Sequence, residues 1–181
     1  THHASSAASD VYKRQGQHST FYKRSTIIML KEGQKLPSFK LNNQKGDAVK
    51  LPAKDMTLIY FYPKADTPGC TKESCEFQSN LKKFNKFETT VFGISKDSVQ
   101  RQSKFAEKYK LKFNLLSDES EKVCEKFGVW VNKSMYGRTY KGIERSTFLV
   151  GKNGKILKIW RKVKVNNHVE EVLDTIKEFS K

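Results

Sequence analysis

Between Thr57 and Ser95 the chain changes its hydrophobic period twice, which restricts its fold more than any other feature. Thr57 to Tyr62 reads TLIYFY, a β-branched and aromatic run of strand length, and so a central strand. Pro63 ends it. From Cys70 to Phe87 the residues Cys70, Ser74, Phe77, Leu81, Phe84 and Phe87 fall at helical spacing. Thr90 to Ser95, TVFGIS, returns to a buried strand. Strand, helix, strand in that order implies a crossover between parallel strands.

The flanking segments extend the pattern. Phe39 to Leu41 and Val49 to Leu51 are short extended runs around a turn at Gly46–Asp47. Ser98 to Tyr109 reads as a helix capped by Asp97 or Ser98. Leu115 and Leu116 form a short strand, and Glu119 to Phe127 a short helix. Ser146 to Val150 and Lys155 to Trp160 are strands joined at Asn153–Gly154, a hairpin signal. Asn167 to Phe179 closes the chain as a helix with Val169, Val172, Leu173 and Ile176 on one face. Together these predict an α/β sandwich with a mixed central β-sheet flanked by helices: parallel crossovers first, an antiparallel hairpin later.

Residues 1–28 fit no element. They show neither amphipathic period nor an apolar signal core. Ser5 to Gln15, SSAASDVYKRQ, resembles the in-frame translation of a sequencing-library adaptor, which would make Met29 the natural start. We therefore expect 1–28 to be a non-native or disordered extension and 29–181 to be the folded domain. The protein is expected in the cytoplasm, or in an organelle if 1–28 is a genuine transit peptide.

The formal charge is +16, of which residues 1–28, with four basic residues and one acid, carry only three. Such a charge first suggests nucleic acid. The basic residues are mostly lysines spread along the chain, with no Arg-rich block, so a solvated surface is the expectation and no specific nucleic acid is. No apolar stretch approaches the ~18 residues of a membrane span. Three cysteines, Cys70, Cys75 and Cys124, are too few for a secreted disulfide scaffold.

Cys70 carries the chemistry. Pro63 turns the chain after the strand, and Thr67 can place a hydroxyl near the next helix. Pro68 suits a first helical position, where a missing N–H costs nothing, and Gly69 permits close approach. Cys70 then sits at a helix N-terminus, where unpaired amides and the helix dipole favour the thiolate over the thiol. A zinc site would need more ligands than two cysteines provide, since His2, His3 and His18 lie in the excluded segment and His168 starts the last helix. The same lack of histidine argues against Cys–His catalysis. Disulfide oxidoreductases usually show C-x-x-C, whereas four residues separate Cys70 from Cys75.

Pro63, Thr67 and Cys70 form a P-x-x-x-T-x-x-C pattern that resembles the peroxidatic motif of the peroxiredoxins. The continuation Thr71-Lys-Glu-Ser-Cys75-Glu-Phe resembles the bacterioferritin comigratory protein, or peroxiredoxin Q, subgroup. So do FGISKD (92–97), LLSDES (115–120), Phe127-Gly-Val-Trp130 and MYGRTYKGIERSTFLV (135–150). The resemblance implies a thioredoxin fold and reduction of hydrogen peroxide and organic hydroperoxides, with no metal, flavin or other cofactor. It also implies a thioredoxin-like dithiol as reductant, and it favours a monomer. By position, Cys70 would be the peroxidatic cysteine and Cys75 the resolving one. Thr67 would hydrogen-bond thiolate and peroxide, Pro63 would shield the pocket, and Arg145 would point its guanidinium at the sulfur.

In an ideal helix, residues five apart rise roughly 7.5 Å and point about 140° apart. A disulfide needs Cα atoms within about 7 Å and converging Cβ vectors. Cys70 and Cys75 therefore cannot pair across an intact helix, and its first turns are expected to unwind in each cycle. Cys124, in Lys122-Val-Cys-Glu-Lys, is expected to be a structural bystander, with a second resolving thiol as the alternative.

Overall fold

The structure, a computed structural model, describes residues 29–181; the expectations for 1–28 lie outside them. The chain opens with strands β1 (Phe39–Asn43) and β2 (Ala48–Leu51) and reaches β3 (Met56–Phe61). Helices α1 (Pro68–Ser79) and α2 (Leu81–Lys86) lead to β4 (Thr89–Ser95), and α3 (Val99–Tyr109) to β5 (Asn114–Ser117). There follow α4 (Lys122–Lys126), strands β6 (Trp130–Met135), β7 (Arg138–Ile143), β8 (Ser146–Val150) and β9 (Ile156–Trp160), and α5 (His168–Phe179).

One seven-stranded sheet runs β2-β1-β5-β4-β3-β8-β9. The β3–β4 and β4–β5 pairs are parallel, and the outer pairs are antiparallel. This is the expected mixed sheet. Every residue of β3 is buried, and its alternation feeds two cores. Leu58 and Tyr60 join Phe77, Phe84, Phe105 and the α5 residues Val169, Val172, Leu173 and Ile176 on one face. Ile59 and Phe61 join Cys124, Phe127 and Phe148 on the other. Among the described residues no helix is long and apolar enough to cross a membrane.

Three expectations need correction. The single helix over Cys70 to Phe87 is two helices, broken at Asn80 (φ −104°, ψ 8°). The Asn80 side chain donates to the Glu76 carbonyl, the local competition that makes asparagine a poor helix-interior residue. The apolar stripe survives the break, since Phe77 and Phe84 are both fully buried. The helix expected over Glu119 to Phe127 begins only at Lys122, because Glu121 takes a left-handed φ of 62°. Finally, β6 and β7 form a separate hairpin that was not expected. Tyr136 and Gly137 at its turn both have positive φ, the geometry of two-residue turns that match strand twist.

The loop from β3 to α1 is tied down by buried polar groups. Tyr62 donates to Gln102, Gln102 to Ser95 Oγ at 2.9 Å, and Ser95 to Asp97 Oδ2 at 2.7 Å. Asp97 Oδ2 also accepts the Ala65 N–H at 2.7 Å. Farther along, Asp66 accepts from Tyr109 and pairs with Lys108. Asp97→Ala would leave the Ala65 and Ser95 donors without their acceptor. It is expected to lower stability by about 1–3 kcal/mol in urea unfolding and to speed amide exchange at Ala65.

Candidate active site

Strand register builds the site. Ser146 at the start of β8 pairs with Phe61 at the end of β3. Arg145, one residue earlier, therefore arrives at the end of β3, from which the chain runs on to α1. There Thr67 is the N-cap in extended conformation (φ −100°, ψ 156°), Pro68 opens the helix, and the Thr71 N–H donates to the Thr67 carbonyl at 2.8 Å. Cys70 lies in this first turn, 1% exposed.

Arg145 joins the parts. Its Nη2 donates to Cys70 Sγ at 3.4 Å and its Nη1 to Glu73 Oε1 at 2.8 Å. Cys70 and Glu73, three apart on α1, present their side chains on one face, so one guanidinium reaches both. Gly69 makes the approach possible: a Cβ there would stand 3.2 Å from Arg145 Nη2. Tyr60 and Ser74 share a hydrogen bond of 2.8 Å that fixes the next position of α1 to the sheet.

Glu73 is 0% exposed and its Oε2 has no hydrogen-bond partner among the described residues. Burial raises its carboxyl from the ordinary 4.5 to about 7, against the opposing pull of Arg145. Burial works against the Arg145 cation too, but Glu73 and Cys70 outweigh it and hold the guanidinium above its usual range. The sequence reading missed Glu73. Its signal was a charge falling on the buried stripe of the helix between Cys70 and Phe77.

The other expected residues are placed as follows. Arg145 does point at the Cys70 sulfur. The Thr67 hydroxyl donates back to the Lys64 carbonyl at 2.8 Å and makes no cap bond to α1. Pro63 is half-buried just after β3, beside a shallow groove it shares with Lys64, Lys96, Asp97 and Ser98. Cys75 is a free, half-buried thiol on the same unbroken helix as Cys70, and burial pushes its thiol upward. Cys124 is fully buried on the other face of the sheet. Its thiol is driven far up by burial and by Asp118, which accepts its backbone N–H. His168 sits 2.8 Å from Thr147 Oγ1 and is lowered to about 4 by burial and by Arg145. Among the described residues no group of three or more His, Cys, Asp or Glu side chains could hold a metal.

A buried cysteine in the first turn of a helix, beneath a guanidinium at the strand ends of a thioredoxin-like sheet, defines the class: a thiol peroxidase of the peroxiredoxin type. A sequence profile of the AhpC/TSA family matches residues 32–159, and the chain belongs to that family. It is 45% identical over 150 residues to peroxiredoxin Bcp of Bacillus subtilis, covering 82% of this chain and 96% of that one. It is 46% identical over 151 residues to peroxiredoxin Bcp of Escherichia coli K12, covering 82% and 97%. Among solved structures, the Xanthomonas campestris bacterioferritin comigratory protein superposes with a TM-score of 0.75 at 40% identity, covering 79% and 92%. A Xylella fastidiosa PrxQ mutant superposes with a TM-score of 0.80 at 36% identity, covering 84% and 98%.

Glu73 also predicts a pH dependence. Its folded value lies above the unfolded one, so the folded state holds the extra proton between about pH 4.5 and 7. Its contribution to stability therefore falls as pH rises through that window, by about 3 kcal/mol in total. Glu73→Gln removes the titrating group. Urea unfolding from pH 4.5 to 8 should show the wild type losing stability relative to Glu73→Gln; parallel profiles would refute the assignment.

Proposed function

We propose that Cys70 is the peroxidatic nucleophile, Cys75 the resolving thiol, and a thioredoxin-like dithiol the reductant of their disulfide. The observation that carries this reading is the single guanidinium that contacts both the Cys70 sulfur and the buried Glu73 carboxylate. The Xanthomonas campestris relative has been studied for alkyl peroxide reduction, and the same substrate class is proposed here beside hydrogen peroxide. The enzyme is read as a cytoplasmic monomer.

The Cys70 thiolate attacks one peroxide oxygen. The S–O bond forms as the O–O bond breaks, and the bonding pair leaves on the second oxygen, which takes a proton and departs as water or an alcohol. Cys70 is left as a sulfenic acid. Arg145, fixed by Glu73, presents N–H donors where negative charge passes from sulfur to the leaving oxygen, so no reorientation is needed during reaction. Pro63 covers the approach, and Thr67, released from Lys64, is placed to bond the peroxide. The Cys75 thiol then attacks the sulfenic sulfur, water leaves, and the disulfide forms. The dithiol reduces it by exchange through a mixed disulfide.

Both cysteines lie on one continuous helix, so resolution requires its first turns to open. Opening withdraws Cys70 from its buried seat and parts Lys72 from Asn166, which it contacts across to the segment before α5.

Thioredoxin-coupled peroxide consumption tests the roles. Cys70→Ser should show none, Cys75→Ser should stop after about one equivalent, and Cys124→Ser should turn over undiminished. A Cys70→Ser variant that still turns over would end the reading. A covalent staple between positions 72 and 76 should leave the first equivalent consumed but suppress turnover; undiminished turnover with the helix locked would rule out unwinding.

A further inference from the structure

We propose that Lys133 selects among hydroperoxides by charge, receiving the carboxylate of a substrate whose O–O bond lies at Cys70. This rests on the peroxidase reading above and names a substrate class for the same site.

The geometry begins with the β6–β7 hairpin. Strand alternation places Val131, Lys133 and Met135 on one face with Arg138, Tyr140 and Gly142. On the opposite face only Ile143 and the partly buried Trp130, at the base of the hairpin, pack against the core. Register pairs Lys133 with Tyr140, yet its stem leans across the next same-face position. A Cβ on Gly142 would stand 3.2 Å from Lys133 Cδ and 3.5 Å from its Cε. Gly142 lies toward the Arg145 end of β7, so the stem runs along the hairpin toward the site. Gly142 has no side chain to block that path. Consistent with this, burial and Arg145 hold the Lys133 ammonium below the usual lysine range, while Cys70 and Glu144 act the other way.

Charge bookkeeping decides what Lys133 can do. Arg145 already divides its donors between Glu73 and Cys70. None of the ion pairs among the described residues includes Lys133. A negatively charged hydroperoxide would meet the thiolate and Glu73, and Lys133 is a cation leaning toward them that no ion pair among the described residues commits. Beside it, Tyr140, 45% exposed and with its Cε2 3.5 Å from that same Gly142 Cβ position, offers apolar surface to the carbon skeleton. Arg138, on the same face, lies at the far tip of the hairpin. The ligand chemistry is therefore a hydroperoxide that also carries a carboxylate.

The test compares 3-hydroperoxy-3-methylbutanoate with its methyl ester, which differ in charge but share a skeleton. The readout is the acid-to-ester ratio of kcat/KM, in which a general loss of active enzyme cancels. Lys133→Met keeps the stem over Gly142 and should lower the ratio about threefold, the scale of a solvent-accessible ion pair. Lys133→Arg should restore most of it, and added salt should lower the wild-type ratio but not that of Lys133→Met. A ratio unchanged by Lys133→Met would overturn the proposal even if both rates fell together. A wild type that consumes neither compound nor hydrogen peroxide would instead sink the peroxidase reading itself.

Discussion

The site depends on one cation shared between two partners. Arg145 reaches Cys70 and Glu73 at once, and each partner alone would leave a different problem. Without Glu73, the guanidinium would be a half-buried charge with a sulfur as its only fixed contact. Without Arg145, a carboxylate with no exposed surface would have no counter-charge, an arrangement that strongly disfavours the charged state. Together they form a pair whose orientation is set by backbone: the β3–β8 register fixes one end, α1 fixes the other, and the bare Cα of Gly69 leaves room between them.

That dependence explains what could be read from sequence. β3 and β4 were legible because both are buried on two faces and read as unbroken apolar runs. Cys70 was legible because its Thr-Pro-Gly lead-in marks a helix start. Arg145 was found only through family resemblance, and Glu73 not at all. Their significance lies in a strand register that joins residues seventy-odd positions apart, which no local pattern carries. The β6–β7 hairpin was missed because its strands are mostly solvated and polar, so they lack the alternation that burial imposes. The Asn80 break was hidden because the apolar stripe runs through it.

Thr67 illustrates the same limit at a single side chain. Its place before the helix was readable, but its hydroxyl can turn to either neighbour. In this structure it satisfies Lys64. A hydroxyl held by one backbone carbonyl can be released by rotation about χ1, so the bond that a peroxide would need competes with a local one.

The sheet divides the interior into two halves that do not share α1. Cys70 and Phe77 belong to one half only, while Cys124, Phe127 and Phe148 fill the other. Opening of α1, as proposed for resolution, would disturb the packing of its own side of the partition. The opening proposed for resolution would thus be confined to one side of the partition, and the third thiol lies on the other.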